Sequence, residues 1–197
     1  MPNPDYSTLI TLVLGITLIG LGFAGWLAKW VLTKSTNTDS MRAISDAIKE
    51  GAEAFLRRQN RTILLLSGIF AIVLFVGYGL IRAHREFDPI STAIQLASWI
   101  TLSFILCALC SVLAGYIGMW VSIRANIRAD TAACSSLNAA LQIALRAGGV
   151  SGLVVVAMSL LGVVGLFGLV KLINPAIDIV KIPLLIVGYG FGASFVA

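Results

Sequence analysis

The stretch MRAISDAIKEGAEAFLRRQNR, from Met41 to Arg61, is the longest water-compatible segment of the chain, and apolar segments lead into and away from it. Its apolar residues recur at steps of three and four, which places them on one face of a helix: Met41, Ile44, Ile48, Gly51 and Phe55. Charged residues occupy the opposite face: Arg42, Asp46, Lys49, Glu50, Glu53 and Arg57. The pattern predicts an amphipathic helix that stands outside a membrane and continues into an apolar segment.

The composition of the whole chain is typical of a membrane protein. Of its 197 residues, 58% are hydrophobic and 12% are charged, and the mean hydropathy is +0.97. Soluble domains carry about 25% charged residues. The net charge of +5 comes from basic residues that flank apolar runs, where such residues orient helices in a bilayer. The charge therefore does not indicate a nucleic-acid partner, and we expect none.

The apolar runs predict four complete membrane crossings and the start of a fifth, because about 20 apolar residues cross the hydrocarbon core of a bilayer. The predicted spans are residues 9–32, 62–81, 98–121, 148–170 and the shorter 183–197. We expect an interfacial segment before the third span, and helical extensions beyond the bilayer from Thr131 to Arg146. The expected fold class is all-α: a polytopic transmembrane helical bundle, one domain over residues 1–197, in which the Met41–Arg61 helix is a cytoplasmic extension before span 2.

Glycines recur at short spacings along several of the predicted spans. Small residues let helix backbones approach each other inside a bilayer, so we expect close helix contacts at three sets: Gly15, Gly20, Gly22 and Gly25; the GxxxG pair Gly148 and Gly152; and Gly162, Gly165 and Gly168. The run GYGFG, from Gly188 to Gly192, lacks the lysine and the preceding strand of a phosphate-binding loop. Close helix packing is its favoured interpretation, and a helix distortion near an ion pathway is the alternative.

The basic residues predict the orientation of the chain. Ten fall on one side of the predicted spans: Lys29, Lys34, Arg42, Lys49, Arg57, Arg58, Arg61, Arg124, Arg128 and Arg146. Four fall on the other: Arg82, Arg85, Lys171 and Lys181. Cytoplasmic loops carry the excess of Lys and Arg, so we expect the N-terminus outside. The short loops suit a bacterial inner membrane.

Four blocks of sequence, in order, resemble the membrane-integral inorganic pyrophosphatases, the pyrophosphate-driven proton or sodium pumps. ISDAIKEGAEAFLRRQ (Ile44–Gln59) is similar to the cytoplasmic start of that family's second span, and GYIGMWVSIRANIRADTAA (Gly115–Ala133) to its third-span exit. LNAALQIALRAGGVSGL (Leu137–Leu153) resembles the start of its fourth span, and GYGFGASFVA (Gly188–Ala197) the start of its fifth. The blocks are spread along the chain from Ile44 to Ala197.

The resemblance implies that the chain is the N-terminal portion of a much longer pump. The family's acidic substrate motif, a DVGADLVGK-like segment, begins soon after the fifth-span block, and no residue here matches it. We therefore assign no catalytic, substrate-binding or metal-binding residue to this chain, and expect it to hydrolyse nothing by itself. The resemblance also implies pyrophosphate as the substrate and Mg²⁺, with K⁺ or Na⁺, as cofactors whose ligands lie outside this chain. The partners that it implies are the remainder of the pump and a second copy in a homodimer, and the apolar spans imply the lipid bilayer.

The residues themselves give little sign of chemistry. Metal-assisted phosphate hydrolysis needs clustered carboxylates, whereas the nine acids are scattered. Three of them share the amphipathic helix with basic residues, so a solvated, ion-paired face is favoured over contact with other loops or headgroups: Asp46, Glu50 and Glu53. Cys107 and Cys110 form a CxxC inside an apolar span and are interpreted as packing residues. Cys134 is interpreted as inert, and access to it from the cytoplasm stays open. His84, between two arginines, is interpreted as a solvated loop residue.

Two interpretations remain open at this level. Arg124, Arg128 and Arg146 either anchor the helices at the cytoplasmic side, which is favoured, or bind an anion such as pyrophosphate or a lipid phosphate. The chain as a whole is either part of an ion-pumping pyrophosphatase or a non-catalytic membrane protein that uses its glycine faces to assemble with other helices.

Overall fold

The structure, a computed structural model, describes residues 6–36, 39–82, 88–90 and 92–196. These residues contain helices and turns but no strand, which confirms the predicted all-α fold. The helices are α1 (Tyr6–Leu32), α2 (Asp39–Val76), α3 (Ala93–Ala133), α4 (Leu137–Ile173), α5 (Ile182–Leu185) and α6 (Val187–Val196). A π-helical turn, Gly77–Ile81, ends α2, and a 3₁₀ turn, Ile179–Lys181, precedes α5.

Within the described ranges, five helical segments are long and apolar enough to cross a membrane. They are Tyr6–Leu32, Arg42–Ile81, Ala93–Ala133, Leu137–Ile173 and Ile179–Val196. The amphipathic stretch is helical as predicted, and it is continuous with the second span, since α2 runs from Asp39 without interruption. The alanine-rich stretch also extends two helices as predicted, because α3 reaches Ala133 and α4 starts at Leu137.

One compact unit contains the start of α1, residues from Arg61 to Val112 and residues from Met158 onward. Its core is a cluster of fully buried aliphatic side chains from α3, α4 and α5: Leu96, Ile100, Val170, Ile182 and Leu185. Three phenylalanine rings pack beside it, with centroids 5.2 to 5.8 Å apart: Phe70, Phe104 and Phe195. Burying such side chains in a close-packed interior fixes the positions of these helices.

The fifth apolar segment is broken within this unit, a feature that its hydropathy did not indicate. Ile186 separates α5 from α6 and leaves the carbonyl of Leu185 near a helix break. The hydroxyl of Ser103, which is fully buried, lies 2.7 Å from the carbonyl oxygen of Trp99 and 3.2 Å from that of Leu185. A polar group without a partner is costly in an apolar interior, so the Ser103 hydroxyl stabilises the break.

A second compact unit contains residues 16–60 and 113–157. Its core is formed where α1, α3 and α4 contact each other, and it includes Ala24, Leu27, Val31, Val121 and Val150, all buried. Small residues bring α3 and α4 together here, since a Cβ atom at Gly118 would lie 3.0 Å from Ser151 Oγ.

The glycine prediction is right at some positions and wrong at others. Close contacts occur at Gly162, beside Tyr189, and in the GYGFG run, where Gly188 meets the backbone of Ile100 and Gly192 that of Phe104. At the other glycines singled out from the sequence, a Cβ atom would meet nothing within 4 Å: Gly15, Gly20, Gly22, Gly25, Gly148, Gly152, Gly165 and Gly168. Spacing along a helix shows where a thin face lies, but the fold decides whether another helix of the chain packs there.

We expect Gly188→Ala to destabilise the chain by about 1–3 kcal/mol, the usual cost of overpacking. The new methyl group would overlap the carbonyl oxygen of Ile100, which is backbone and cannot rotate away. The measurement is thermal unfolding in detergent, followed by circular dichroism.

Gly190→Ala is the matched control on the same helix, because a Cβ atom there meets nothing within 4 Å. It should leave stability unchanged or raise it slightly, since Ala has the higher helix propensity. Equal effects of the two substitutions would contradict the close approach at Gly188.

Candidate functional site

The most heavily charged part of the described structure lies at one end of the second unit, where α1 ends and α3 passes beside the first turns of α2. Arg128 of α3 is its centre. Its guanidinium donates hydrogen bonds to the carbonyl oxygens of Leu32 (3.1 Å) and Lys34 (3.2 Å), and to that of Arg124. The last carbonyls of a helix lack intrahelical partners and carry a partial negative charge. Arg128 therefore caps α1 from a different helix.

Arg124 is held one turn before Arg128. Its guanidinium lies 4.0 Å from the centroid of the Trp120 ring and 3.5 Å from Glu53 Oε1. Glu53 belongs to the amphipathic stretch, so this ion pair joins α2 to α3. The charge pattern within α2 did not indicate a partner on another helix. Both side chains are partly exposed, so the pair contributes about 1 kcal/mol or less.

Trp30 near the end of α1 brings two further cations together. Lys34 Nζ lies 4.2 Å from the centroid of its indole, and the Arg146 guanidinium carbon lies 3.7 Å from it. Cation–π contacts of this kind contribute about 0.5–1 kcal/mol when exposed. Arg124, Arg128 and Arg146 each contact protein groups at this end of the second unit, and whether they anchor it at the cytoplasmic side stays a prediction.

A cavity of about 270 Å³ opens between this end of α3 and the first turns of α2. We call it the basic cavity. Its lining includes four cationic side chains and one carboxylate: Arg42, Lys49, Arg124, Arg128 and Asp46. The excess of positive charge suits an anion. A second cavity, of about 350 Å³, shares Arg128 with it and is lined by Trp30 and Lys34.

The packed side of the amphipathic stretch carries polar and apolar residues, since Ser45 and Lys49 are partly buried and Leu56 is buried, whereas the apolar face identified from the sequence is exposed. The side chains of Ile44, Ile48 and Phe55 are 64%, 55% and 60% exposed. An exposed apolar stripe of this kind marks a surface that meets a membrane or another protein segment. The favoured solvated interpretation is accurate for Asp46 and Glu50, which are exposed.

The carboxylates do not fit a magnesium site. In the part of the chain that the structure describes, no three His, Cys, Asp or Glu side chains are grouped so that they could hold a metal ion. Asp88, whose side chain is 1% exposed, is engaged 2.8 Å from Arg82, and Asp178 accepts a hydrogen bond from the backbone of Val180. Mg²⁺ prefers several oxygen ligands in octahedral geometry, and the described carboxylates do not form such a set of ligands.

The remaining candidates behave largely as packing residues. Cys107 is buried beside Leu166 and Tyr189, Cys110 is partly buried, and both are free thiols. Cys134 is exposed in the turn between α3 and α4, which agrees with the accessibility that the sequence left open. His84 lies outside the described residues.

We expect Arg128→Met to destabilise the chain by about 2 kcal/mol, because several hydrogen bonds from a charged donor to backbone carbonyls are lost. Arg128→Lys should recover only part of this loss, since an ammonium group cannot reproduce the planar fork of donors. Arg57→Met, at an exposed position of α2, should have little effect. The measurement is the unfolding midpoint in detergent; full recovery by lysine would show that charge alone matters.

Comparisons with known proteins identify the family. Residues 18–197 match the model of the family described as inorganic H+ pyrophosphatase. The "Pyrophosphate-energized membrane proton pump 3" of Arabidopsis thaliana is 42% identical over 197 residues, which cover 97% of this chain and 25% of that protein. The "K(+)-insensitive pyrophosphate-energized proton pump" of Caldanaerobacter subterraneus subsp. tengcongensis is 44% identical over 191 residues, which cover 95% and 26%. The chain spans about a quarter of the length of these curated relatives.

Proposed function

Because this chain belongs to the inorganic H+ pyrophosphatase family, we propose that it forms the N-terminal membrane segment of a pump that couples magnesium-dependent hydrolysis of inorganic diphosphate to proton translocation out of the cytoplasm. The main support for this proposal is sequence similarity: over nearly its whole length the chain is 42% and 44% identical to proteins named as pyrophosphate-energised proton pumps. These names favour protons over sodium ions as the transported species. The chain is a multi-pass membrane protein, because it has five helical segments that are long and apolar enough to cross a membrane and because its relatives are membrane pumps.

The role of this segment within the pump is to support other helices. Open glycine positions on α1 and α4, and the exposed stripe of Ile44, Ile48 and Phe55, offer surfaces on which the remainder of the pump can pack. The family resemblance supports a homodimer as the working assembly. The alternative, a non-catalytic protein that assembles with other helices, would use the same surfaces.

The catalytic residues are supplied by the remainder of the pump. The scattered acids of this chain support that division, as does the fact that it spans about a quarter of its relatives. Several relatives are named K(+)-insensitive, which supports a pump that works without potassium. Its hydrolysis rate should be the same in potassium and in choline salts.

A chimeric pump tests the proposed function. Residues 1–197 would replace the matching quarter of the Caldanaerobacter pump, and the chimera would be expressed in bacterial membranes. Inverted vesicles that contain it should release phosphate from diphosphate only with magnesium, and should acidify their interior. The 197-residue polypeptide alone, purified in detergent, should release no phosphate.

The control is the same chimera with Gly188→Ala, which should lose activity in proportion to its loss of folded protein. A chimera that inserts and folds but neither hydrolyses diphosphate nor acidifies vesicles would favour the non-catalytic alternative. Magnesium-dependent phosphate release by the polypeptide alone would overturn the proposed division of roles.

The proposed orientation places the N-terminus outside and the basic end in the cytoplasm of a bacterial inner membrane. It rests on the ten basic residues on that side against four on the other. Cys134 reports on it, because it is exposed at the turn between α3 and α4 while Cys107 is buried.

We expect a membrane-impermeant maleimide to label Cys134 in inverted vesicles and not in intact spheroplasts, as detected by a mass shift of the purified chain. Cys134→Ser should abolish the labelling and so identify the reacting thiol. Labelling from the outside of spheroplasts would reverse the orientation.

A further inference from the structure

An apolar groove of about 430 Å³ runs along the second unit and ends towards its charged end. It is lined on one side by Leu21, Gly25 and Ala28 of α1, and on the other by Tyr116 and Trp120 of α3. Gly25 opens it, since a Cβ atom there would meet nothing within 4 Å. The groove therefore has an apolar lining that suits a hydrocarbon chain.

The groove and the basic cavity follow each other along one face of α3. Tyr116, Trp120 and Arg124 are spaced four residues apart, so they lie one above another on that face. Tyr116 and Trp120 line the groove, Arg124 lines the basic cavity, and its guanidinium stacks 4.0 Å from the Trp120 ring centroid. An elongated molecule in the groove would thus reach cationic side chains at one of its ends.

We propose that this face binds an anionic phospholipid of the bilayer, with one acyl chain in the groove and its phosphate in the basic cavity. Charge complementarity favours this occupant. Among the described side chains of its lining, the cavity brings four cations together with a single carboxylate, that of Asp46. A phosphodiester is the anion that a bilayer presents beside acyl chains, and basic residues near the surface attract such lipids by about 1 kcal/mol each.

The depth of the two parts is consistent with a lipid. Trp30 and Trp120 lie near the polar ends of α1 and α3, and tryptophan indoles concentrate at the level of lipid headgroups. The groove extends from this level along the apolar part of α1 as far as Leu21, and the basic cavity includes Thr36, just beyond the end of α1. Chain and headgroup would each lie in their ordinary surroundings.

Lys49 and Gly25 allow the two parts to be tested separately. Lys49 is partly buried in the lining of the basic cavity, and replacing it with glutamine removes one charge. Gly25→Leu places a side chain in the groove from a backbone position that has open space beside it. Lys29→Gln and Gly22→Leu are matched controls, because both positions are exposed on α1 and line neither the groove nor the cavity.

The experiment is native mass spectrometry of the 197-residue polypeptide released from detergent micelles that contain equal amounts of phosphatidylglycerol and phosphatidylcholine. The wild-type chain should retain one phosphatidylglycerol in preference to phosphatidylcholine. Lys49→Gln should lower this preference about fivefold, and Gly25→Leu should lower retention of both lipids. Lys29→Gln and Gly22→Leu should match the wild type, with helical content checked for every variant.

Four outcomes would overturn the proposal. Equal retention of the two lipids by the wild type would show that the basic cavity does not select a headgroup. Equal lipid retention by Gly25→Leu and Gly22→Leu would show that the groove does not hold an acyl chain. Binding of sodium diphosphate that weakens in Lys49→Gln, without any preference for phosphatidylglycerol, would assign the basic cavity to a free anion. Loss of the retained lipid when the polypeptide is part of the chimeric pump would assign the groove to a helix of the remainder.

Discussion

The need to satisfy backbone hydrogen bonds inside an apolar environment is the constraint on which this structure depends. Hydrocarbon offers no partner for amides or carbonyls, so spanning segments are helices, and a helix end needs a partner from elsewhere. Two side chains supply such partners from α3. The Ser103 hydroxyl reaches the carbonyl of Leu185 at the break between α5 and α6, and Arg128 reaches the carbonyls of Leu32 and Lys34 at the end of α1. Thus α3 stabilises an interruption in each unit.

The hydrophobic pattern of the amphipathic stretch has a different structural consequence in this membrane protein than it would have in a soluble protein. In a soluble protein the apolar face of such a helix packs inward. Here the charged face of α2 lines the basic cavity and Glu53 pairs with Arg124, while Ile44, Ile48 and Phe55 are exposed. The arrangement gives the segment two surfaces with different uses: a polar one that holds its own helices together, and an apolar one that is available to lipid or to the remainder of a larger pump.

The candidate site could be predicted from the sequence in part. The clustering of basic residues at one end follows from their positions beside apolar runs, so the anchoring interpretation of Arg128 needed only the sequence. Its partners did not follow, because Leu32 and Lys34 lie more than ninety positions away along the chain. The glycine contacts could not be predicted for the same reason. Gly188 and Gly25 both lie in glycine-rich apolar segments, yet Gly188 approaches the backbone of Ile100 and Gly25 borders a groove.

The sequence by itself determined the all-α fold, the approximate positions of the membrane-crossing segments and the family, because these depend on hydropathy, charge and local similarity that are read along the chain. The tertiary structure alone decided which face of the Met41–Arg61 helix packs, where the fifth segment breaks, and which glycines are contacts. These features depend on pairs of residues that are distant in sequence, and a bilayer removes the hydrophobic drive that would otherwise indicate the buried face. In the Met41–Arg61 helix, Leu56 is buried and Glu53 pairs with Arg124 of α3, and neither contact follows from the spacing of residues along α2.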